Sequence, residues 1–307
     1  MSETQRQRFY AVTAKLLDED PRVALVLADI GVGYLDAYGV FQNHPRRVIN
    51  VGIREALMVG ATADMALEGF RTIAHSYTPF LIQRAFEQVK LDFGHQGVGG
   101  ILVSIGASHD WTEGGRTHQA PEDVAMIGAL PDWTIHVPGH PDEVEALLRA
   151  AVARDDAVYI RLSDAANDSA VANSDRPLTT IRRGGEEAPT ILAVGPMLRP
   201  VLDATADLNA TLLYTHTPHP LAAEALRDAV GRATDVVLVE PYLEGTSAGA
   251  VTAALSGRAI RLLSIGVKPV ELRRYGAPEE HNRAHGIDAA GIRARLAAFF
   301  GAGAASP

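Results

Sequence analysis

Three segments in the first half of the chain decide its fold: NVGIREALMVG at residues 50–60, AHSYTPFLIQRAFEQV at 74–89 and SIGASHDWTEGGRTHQAPED at 104–123. Each joins an apolar run to a segment of helical spacing through a turn rich in glycine, proline or histidine. This alternation predicts a parallel sheet covered by helices. Side chains at the ends of such strands face the crevice in which α/β proteins bind ligands.

The alternation continues through the chain and predicts an α/β fold of two doubly wound, mainly parallel-sheet domains. The first is expected over residues 1–165, with strands at 23–27, 72–76, 101–105, 134–137 and 158–162 and helices at 8–17, 54–68, 81–92, 121–129 and 141–153. Residues 166–188 are rich in Ser, Asp, Asn and Gly and are interpreted as a linker.

A second domain is expected over residues 189–302. Its strands are predicted at 190–194, 210–215, 236–240 and 260–264, and its helices at 201–208, 221–230, 247–255 and 289–300. The tail GAGAASP, residues 301–307, is expected to be disordered.

Composition limits the classes of function. With 307 residues, of which 47% are hydrophobic, the chain is long enough for two cores. Its net charge of −9 argues against nucleic acid or an anionic membrane as the main partner. The absence of cysteine excludes disulfides, thiolate metal sites and cysteine nucleophiles. No apolar run reaches membrane-spanning length, and a cytoplasmic location is the expectation.

Glu55 is the first candidate for chemistry. It falls in the first turn of the predicted helix 54–68, among mostly apolar residues. A carboxylate there often does no more than interact with the helix dipole. The alternative is a role for Glu55 in a functional site. The residues alone leave both interpretations open.

The order of VGIRE, Tyr-x-x-Phe-x-x-x-Arg-Ala-Phe-x-Gln and two histidines resembles the pyrimidine-binding domain of the transketolase family. The closest resemblance is to the C-terminal subunit of its split, two-component members. LLYTHTPHPL, VVLVEPY and YGAPEEHNRAHGIDAAGI are similar to the family's C-terminal domain, so the resemblance covers nearly the whole chain. It implies thiamine diphosphate as cofactor, and transfer of a two-carbon ketol unit from a ketose-type donor to an aldehyde.

The resemblance also implies roles for particular residues. Glu55 matches the glutamate that hydrogen-bonds the pyrimidine, which lets the cofactor make its own base. Phe80 matches the ring that stacks on the pyrimidine, with Tyr77 beside it. Asp29, in the short match LADI, corresponds to an aspartate near the thiazolium. Arg84 borders the site in this interpretation, although a surface arginine is equally compatible with the sequence.

His109 and His118 match two histidines that line the family's substrate channel. Pro121 is predicted at the first position of a helix, which places His118 just before the helix N-terminus, where it can accept or relay a proton. Ser108, His109 and Asp110 are contiguous, but a hydrolase triad is defined by geometry and separate roles, so a serine hydrolase is rejected.

Three departures from the family concern the substrate. Where the family has an aspartate that holds a donor hydroxyl, this chain has Gly114, with Glu113 one position away. Asp164 stands where many relatives have an arginine for the substrate phosphate, and a carboxylate repels phosphate. A non-standard substrate pair is therefore expected, unless Arg116 or Arg161 supplies the anion contact.

One motif of the family is missing. The Gly-Asp-Gly motif that holds Mg²⁺ on the cofactor diphosphate does not occur in the chain. Hard oxygen ligands for that ion must then come from elsewhere. The resemblance therefore implies a second subunit that carries the diphosphate-binding domain and most of the Mg²⁺ ligands, in an α2β2 assembly.

Other motifs are weaker. His281 and His285 are four residues apart and could share a metal on a helix, but no third ligand is near in sequence, so they are expected to be solvated. The glycine segments lack the strand, GxGxxG and helix order of a dinucleotide site.

Three functions remain after the sequence is considered. A ketol-transferring subunit is favoured by the paired histidines. A 2-oxoacid-decarboxylating or deoxyxylulose-type carboligase gains weight from Gly114 and Asp164. A non-catalytic regulatory subunit is disfavoured because Glu55, Phe80 and both histidines are present.

Overall fold

The computed structural model describes residues 3–171 and 176–303. Its first sheet has six strands, all parallel, in the order β2-β1-β3-β4-β6-β5. The strands are β1 Val23–Leu27, β2 Val48–Asn50, β3 Arg71–Tyr77, β4 Gly100–Ile105, β5 Trp133–His136 and β6 Ala157–Arg161. Every residue of β1 and β4 is buried, as expected for strands covered on both faces.

Helices and short turns connect these strands. The α-helices are α1 Gln5–Glu19, α2 Val32–Asp36, α3 Val40–Asn43, α4 Glu55–Leu67, α5 Phe86–Gln88, α6 Asp123–Gly128 and α7 Pro141–Val152. π-Helical turns occupy Pro79–Arg84 and Val89–His95, and 3₁₀ turns occupy Thr112–Gly114 and Arg116–His118.

The second sheet has five strands in the order β11-β10-β8-β9-β7, in which only the β7 and β9 pair is antiparallel. Its strands are β7 Leu178–Arg182, β8 Thr190–Val194, β9 Thr211–Thr215, β10 Asp235–Leu243 and β11 Arg261–Val267. Its helices are α8 Leu198–Ala204, α9 Ala223–Val230, α10 Ala248–Ala254, α11 Pro278–His285 and α12 Ala289–Gly303, with a 3₁₀ turn at Gly195–Met197.

Apolar side chains cover both faces of both sheets. One cluster packs α1 and α7 against the first sheet, and another packs α8 and α12 against the second. The largest cluster contains residues of both domains, including Val137 and Val194. Backbone hydrogen bonds also join the domains: Ile135 N–H donates to His219 O and Val137 N–H to His216 O, both at 2.7 Å, and Leu243 N–H donates to Pro121 O at 2.8 Å. The predicted α/β class and the two mainly parallel sheets are confirmed.

The structure differs from the sequence prediction in several elements. β2 and β7 were not predicted, and β7 lies inside the segment interpreted as a linker, of which 172–175 lie outside the described residues. The predicted helix 81–92 is three short turns that change at Ala85, whose φ is −105° and ψ 19°. α2, α3 and α11 are additional helices, and α12 continues to Gly303 into the tail expected to be disordered. Residues 304–307 of that tail lie outside the described residues.

The predicted domain boundaries stay a prediction. Among the helices of residues 3–171 and 176–303, none combines the length and the apolar character needed to cross a membrane.

Candidate functional site

The carboxyl ends of the first sheet's strands bring several predicted residues to one edge. Strand order reverses between β1 and β3, because the chain passes from β1 outward to β2 and then back to β3 on the other side. Such a reversal opens the crevice in which α/β sheets bind ligands. Asp29 follows β1, Glu55 follows β2, and Tyr77 ends β3.

Glu55 is the first residue of α4 and is only 3% exposed. Its carboxylate therefore lies in the positive field of the helix N-terminus and out of bulk water. Arg84 Nη1 donates a hydrogen bond to Glu55 Oε1 at 2.9 Å, and about half of the Arg84 side chain is exposed. Glu55 is therefore a buried carboxylate, and Arg84 contacts it.

An aromatic cluster of Tyr77, Phe80, Trp111 and His118 lies beside this ion pair. The Arg84 guanidinium carbon is 4.3 Å from the Phe80 ring centroid, on one face of the ring. Phe80 meets His118 edge-on at 5.0 Å between centroids, and Trp111 stacks on Tyr77 at 5.2 Å. His118 also meets Trp111 at 4.4 Å. Its imidazole is thus held among three aromatic rings, next to the Glu55 and Arg84 pair.

Two glycines allow this packing. Gly106, which follows β4, has a φ of +71°, and a Cβ on it would lie 2.6 Å from Tyr77 Cδ1. A Cβ on Gly114 would lie 2.8 Å from the His118 ring. The loop that carries Trp111 and His118 is closed at its base by an antiparallel bridge between Ser108 and Ala120. The cluster therefore depends on small residues beneath its rings.

Asn50, at the end of β2, connects the turns on this edge. The Asp29 N–H donates to Asn50 Oδ1 at 3.0 Å, and Asn50 Nδ2 donates to Asp29 Oδ1 at 2.8 Å. Asn50 Oδ1 also accepts from the Gly52 N–H, close to the start of α4. Asp29 has a φ of +63°, a strained conformation that occurs often at functional sites. Asn50 therefore fixes Asp29 and the approach to Glu55.

Arg116 and Glu113 lie on the outer part of the loop. Arg116 forms ion pairs with Glu122 and with Glu271 of the second domain, both at 2.9 Å, while Glu113 is exposed. The helix after this loop, α6, begins at Asp123 and not at the predicted Pro121. His118 is therefore further from the N-terminus of that helix than the sequence predicts. Arg116 already has two carboxylate partners, which makes it a weak candidate for binding an anion.

His109 lies apart from His118. It is 7% exposed, and its Nε2–H donates to Asn282 Oδ1 at 2.8 Å. Its ring stacks on His281 and His285 of α11, at 5.4 and 5.5 Å. The two α11 histidines are 2% and 4% exposed, so the expectation that they are solvated is wrong. The reason is that α11 packs its histidine face against the first domain.

A cavity of about 440 Å³ between the domains is bordered by Asp110 and Asp164. Burial raises the pKa of Asp110 to about 7, and the nearby charge of Asp164 acts in the same direction. Burial also raises the pKa of Asp164. Asp110 Oδ2 accepts from the Asp164 N–H at 3.0 Å, and Asp110 Oδ1 accepts from Ser163 Oγ at 3.2 Å. These carboxyl groups border the cavity together with the guanidinium groups of Arg161 and Arg199.

The comparison with protein families agrees with this geometry. Residues 4–167 match the model of the transketolase pyrimidine-binding domain. The chain belongs to the transketolase family. Membership implies a thiamine-diphosphate-dependent enzyme and a transferase subunit of the C-terminal type.

Relatives cover almost the whole chain. The chain is 44% identical over 288 residues to an uncharacterized 33.6 kDa protein of the fasciation locus of Rhodococcoides fascians, covering 93% of this chain and 91% of that protein. It is 28% identical over 283 residues to the 6-deoxy-6-sulfo-D-fructose transketolase subunit of Clostridium sp. MSTE9, covering 88% and 84%. The solved structure of a split-gene transketolase, described as an inactive beta4 tetramer, superposes with a TM-score of 0.82 at 23% identity over 96% and 97% of the two chains.

The departures from the transketolase family now have a structural context. Arg161 is 1% exposed, and its Nε bonds Asp123 Oδ2 at 2.7 Å. Its Nη2 donates to Ser108 Oγ at 2.5 Å. It thus pairs with an internal carboxylate, and it also borders the cavity between the domains, so a contact of Arg161 with a substrate anion stays a prediction. The Cβ of an aspartate at position 114 would clash with the His118 ring. The observed position of His118 therefore requires glycine where the family has an aspartate.

The residues present suit the pyrimidine half of the cofactor. A buried carboxylate at a helix N-terminus can hydrogen-bond a ring nitrogen, and Phe80 offers a ring for stacking. Within residues 3–171 and 176–303, the cluster of potential metal ligands is the histidine group of His109, and it contains no carboxylate for Mg²⁺.

Sequence reasoning missed three contributors to this site. Asn50 was quoted in the first segment, but nothing in the sequence indicated its bond to Asp29. Trp111 lies in the third quoted segment, but its stacking on Tyr77 depends on the bridge between Ser108 and Ala120, which the sequence does not indicate. Gln83 Nε2 donates to Glu122 Oε2 at 3.0 Å. This hydrogen bond joins the π-helical turn Pro79–Arg84 to the end of the loop between β4 and α6.

Proposed function

We propose that this chain is the pyrimidine-binding subunit of a two-component transketolase that transfers a ketol unit from a ketose-type donor to an aldehyde acceptor. The observation that carries the proposal is the buried Glu55 at the start of α4, beside Phe80 and the His118 imidazole. A carboxylate, a stacking ring and a proton-relaying group then lie together at the strand reversal of a transketolase-family domain.

Each residue has a distinct task in this proposal. Glu55 hydrogen-bonds the pyrimidine nitrogen and holds the proton that sets the tautomer of the ring. Phe80 would offer its ring for stacking on the pyrimidine, and the Arg84 guanidinium covers one face of that ring. His118 moves a proton at the substrate oxygen, and its aromatic neighbours fix its orientation. Thiamine diphosphate supplies the carbanion chemistry when it is bound.

Arg84 has to respond to the cofactor. Its guanidinium covers one face of Phe80 and occupies Glu55 Oε1, and its side chain is half exposed. To hold the pyrimidine nitrogen, Glu55 would offer its other carboxylate oxygen, or Arg84 would turn outward into solvent. In both arrangements Arg84 borders the site, as the sequence resemblance implies.

The diphosphate and its Mg²⁺ are assigned to a partner subunit, in an α2β2 assembly that localises to the cytoplasm. Support comes from the missing Gly-Asp-Gly motif and from the absence, among residues 3–171 and 176–303, of a carboxylate cluster that could hold the ion. The split-gene structure is described as an inactive beta4 tetramer. We expect this chain alone to be inactive as well.

The substrate pair is proposed to differ from pentose phosphates. Gly114 cannot bind a donor hydroxyl, Asp164 adds negative charge, and Arg161 is buried in an ion pair with Asp123. Asp110 and Asp164 border the cavity beside Arg161 and Arg199, and a carboxylate in that position opposes a phosphate group. A substrate role for His109, for Arg116 or for Glu113 stays a prediction.

The test is reconstitution with a partner chain that carries the Gly-Asp-Gly domain. The complex is supplied with thiamine diphosphate, Mg²⁺, an aldehyde acceptor, and free or phosphorylated ketoses. We expect turnover with free ketoses and a loss of roughly 10²- to 10⁴-fold in kcat for Glu55→Gln, which removes the acid–base group. Glu68→Gln, an exposed glutamate at the other end of α4, is the matched control and should keep full activity.

A second candidate function, that of a decarboxylating carboligase, is favoured by Gly114 and Asp164. Supplying the complex with pyruvate distinguishes it from ketol transfer. Release of CO₂ from pyruvate, without ketol transfer, would replace the transketolase assignment by a decarboxylating carboligase. A complex that binds no cofactor, or whose activity is unchanged in Glu55→Gln, would refute the proposed site and leave a non-catalytic subunit.

A further inference from the structure

Three buried histidines meet where the two domains touch. His109 comes from the loop after β4, and His281 and His285 come from adjacent turns of α11. One nitrogen from each ring can be chosen so that all three lie within 4.8 Å of one another. Their residues are 7%, 2% and 4% exposed. The ketol-transfer site described above uses neither His281 nor His285.

The hydrogen bonds leave nitrogen lone pairs free in this cluster. His109 Nε2–H donates to Asn282 Oδ1 at 2.8 Å, and His281 Nε2–H donates to Tyr275 O at 3.2 Å. In both rings Nδ1 is then the unprotonated nitrogen. An outer N–H bonded to an oxygen acceptor is the usual arrangement of a metal-ligating histidine.

His285 is bound more weakly to its surroundings. Its Nδ1 accepts a hydrogen bond from the Lys268 N–H at 3.2 Å, which is long for such a bond. Ligation of a metal by either nitrogen of this ring gives up that bond, because a neutral imidazole has one lone pair in the ring plane. The loss of a single long hydrogen bond is a small cost beside three coordinate bonds.

A metal ion binds the unprotonated nitrogen of an imidazole. The hydrogen bonds of His109 and His281 through Nε2–H leave Nδ1 of both rings available for such a bond.

We propose that His109, His281 and His285 form a binding site for a divalent transition metal ion, with Zn²⁺ as the expected occupant. Three imidazole ligands suit Zn²⁺, and they leave the fourth position of a tetrahedron for water or another ligand. A metal ion at this site would join the loop after β4 in the first domain to α11 in the second. The proposal does not depend on thiamine diphosphate.

The geometry needs only a modest adjustment. With Zn–N bonds of about 2.0–2.1 Å, tetrahedral nitrogens lie roughly 3.3 Å apart, so a separation of up to 4.8 Å closes by at most about 1.5 Å. The rings are now nearly parallel, with angles of 28° and 23° between planes, and ligation turns them toward a common point. A cavity of about 310 Å³ borders all three histidines, and it provides access for the ion and for a fourth ligand.

The experiment measures metal binding by the full-length chain. Chelator-treated protein is dialysed against Zn²⁺, and bound metal is counted by mass spectrometry. Co²⁺ is then used as a probe, since its visible absorption reports tetrahedral coordination. The variants are His281→Gln and His285→Gln, and the matched control is His95→Gln, an exposed histidine in the first domain. Asn282→Ala removes the outer partner of His109.

We expect one Zn²⁺ per wild-type chain and per His95→Gln chain, and a tetrahedral Co²⁺ spectrum from both. Asn282→Ala should weaken binding roughly 10- to 100-fold, and the loss of a ligand in His281→Gln or His285→Gln should weaken it more. A wild-type chain that binds no ion, or variants that bind as tightly as wild type, would overturn the proposal. If a variant fails to fold, the number of Zn²⁺ ions bound by the wild-type chain and its Co²⁺ spectrum still test the proposal.

Discussion

Replacement of Arg161 by methionine should destabilise the first domain strongly. Arg161 and Asp123 form an ion pair at 2.7 Å, and their side chains are 1% and 0% exposed. Methionine fills much of the same volume but leaves the Asp123 carboxylate in the interior without its cation. That carboxylate keeps one hydrogen bond, from Tyr159 OH at 2.6 Å. Its Oδ1 has no partner among the described residues even in the intact protein.

The magnitude follows from the burial of the pair. Breaking a buried ion pair by removal of one partner costs about 3–5 kcal/mol in the free energy of unfolding. Removing both charges, in Arg161→Met with Asp123→Leu, should recover most of that loss, because no buried charge remains. Arg154→Met is the control: this arginine pairs with Asp156 at 2.6 Å but is 62% exposed, so its loss should cost about 0–1 kcal/mol.

Urea unfolding followed by tryptophan fluorescence measures these differences. Both tryptophans, Trp111 and Trp133, lie in the first domain, so the signal reports the unfolding of the domain that contains Arg161. A cost for Arg161→Met no larger than that for Arg154→Met would refute the argument. So would a double variant that is less stable than Arg161→Met, because the penalty would then not come from the stranded carboxylate.

Two further predictions concern charge and stacking. The pKa of Asp110 is about 7 in the folded protein and about 3.9 when unfolded, so the folded state binds the proton more tightly and stability should fall as pH rises from about 4 to 7. Asp110→Asn should remove this pH dependence and be about 2 kcal/mol more stable than wild type at pH 8, which is half of the free energy that the full pKa shift represents. The free energy of unfolding is measured by urea titration, and the same change with pH in both proteins would contradict the prediction. Phe80→Leu should weaken thiamine diphosphate binding to the reconstituted complex by roughly 2- to 13-fold, the value of an aromatic contact. Phe299→Leu, in α12 of the second domain, should not change it, and equal dissociation constants for the two variants would exclude stacking on Phe80.

Much of the fold could be predicted because it depends on local patterns. The buried strands β1, β3 and β4 are runs of apolar and β-branched residues between turn signals, and the sequence prediction found all three within one or two residues. β2 has only three residues, too few to form a pattern. β7, LTTIR, is half-buried along its whole length because it is an edge strand, and it stood in a polar stretch interpreted as a linker.

The candidate site could be predicted in part for the same reason. Glu55, Tyr77 and Phe80 belong to continuous segments whose spacing fixes their place at the strand ends. Their environment was not predictable. The ion pair of Arg84 with Glu55 spans 29 residues, and the stacking of Trp111 on Tyr77 requires the closed loop between β4 and α6.

The histidines show where local patterns fail. His109 and His118 are nine residues apart and were interpreted as one pair, yet the bridge between Ser108 and Ala120 turns them to opposite sides of the loop. His118 faces the aromatic cluster of the first domain, and His109 faces α11. The two histidines are separated because the second domain packs on that loop. The spacing of residues within the loop gives no indication of this packing. Any change that loosens α11 should therefore alter the surroundings of His109 and leave those of His118 intact.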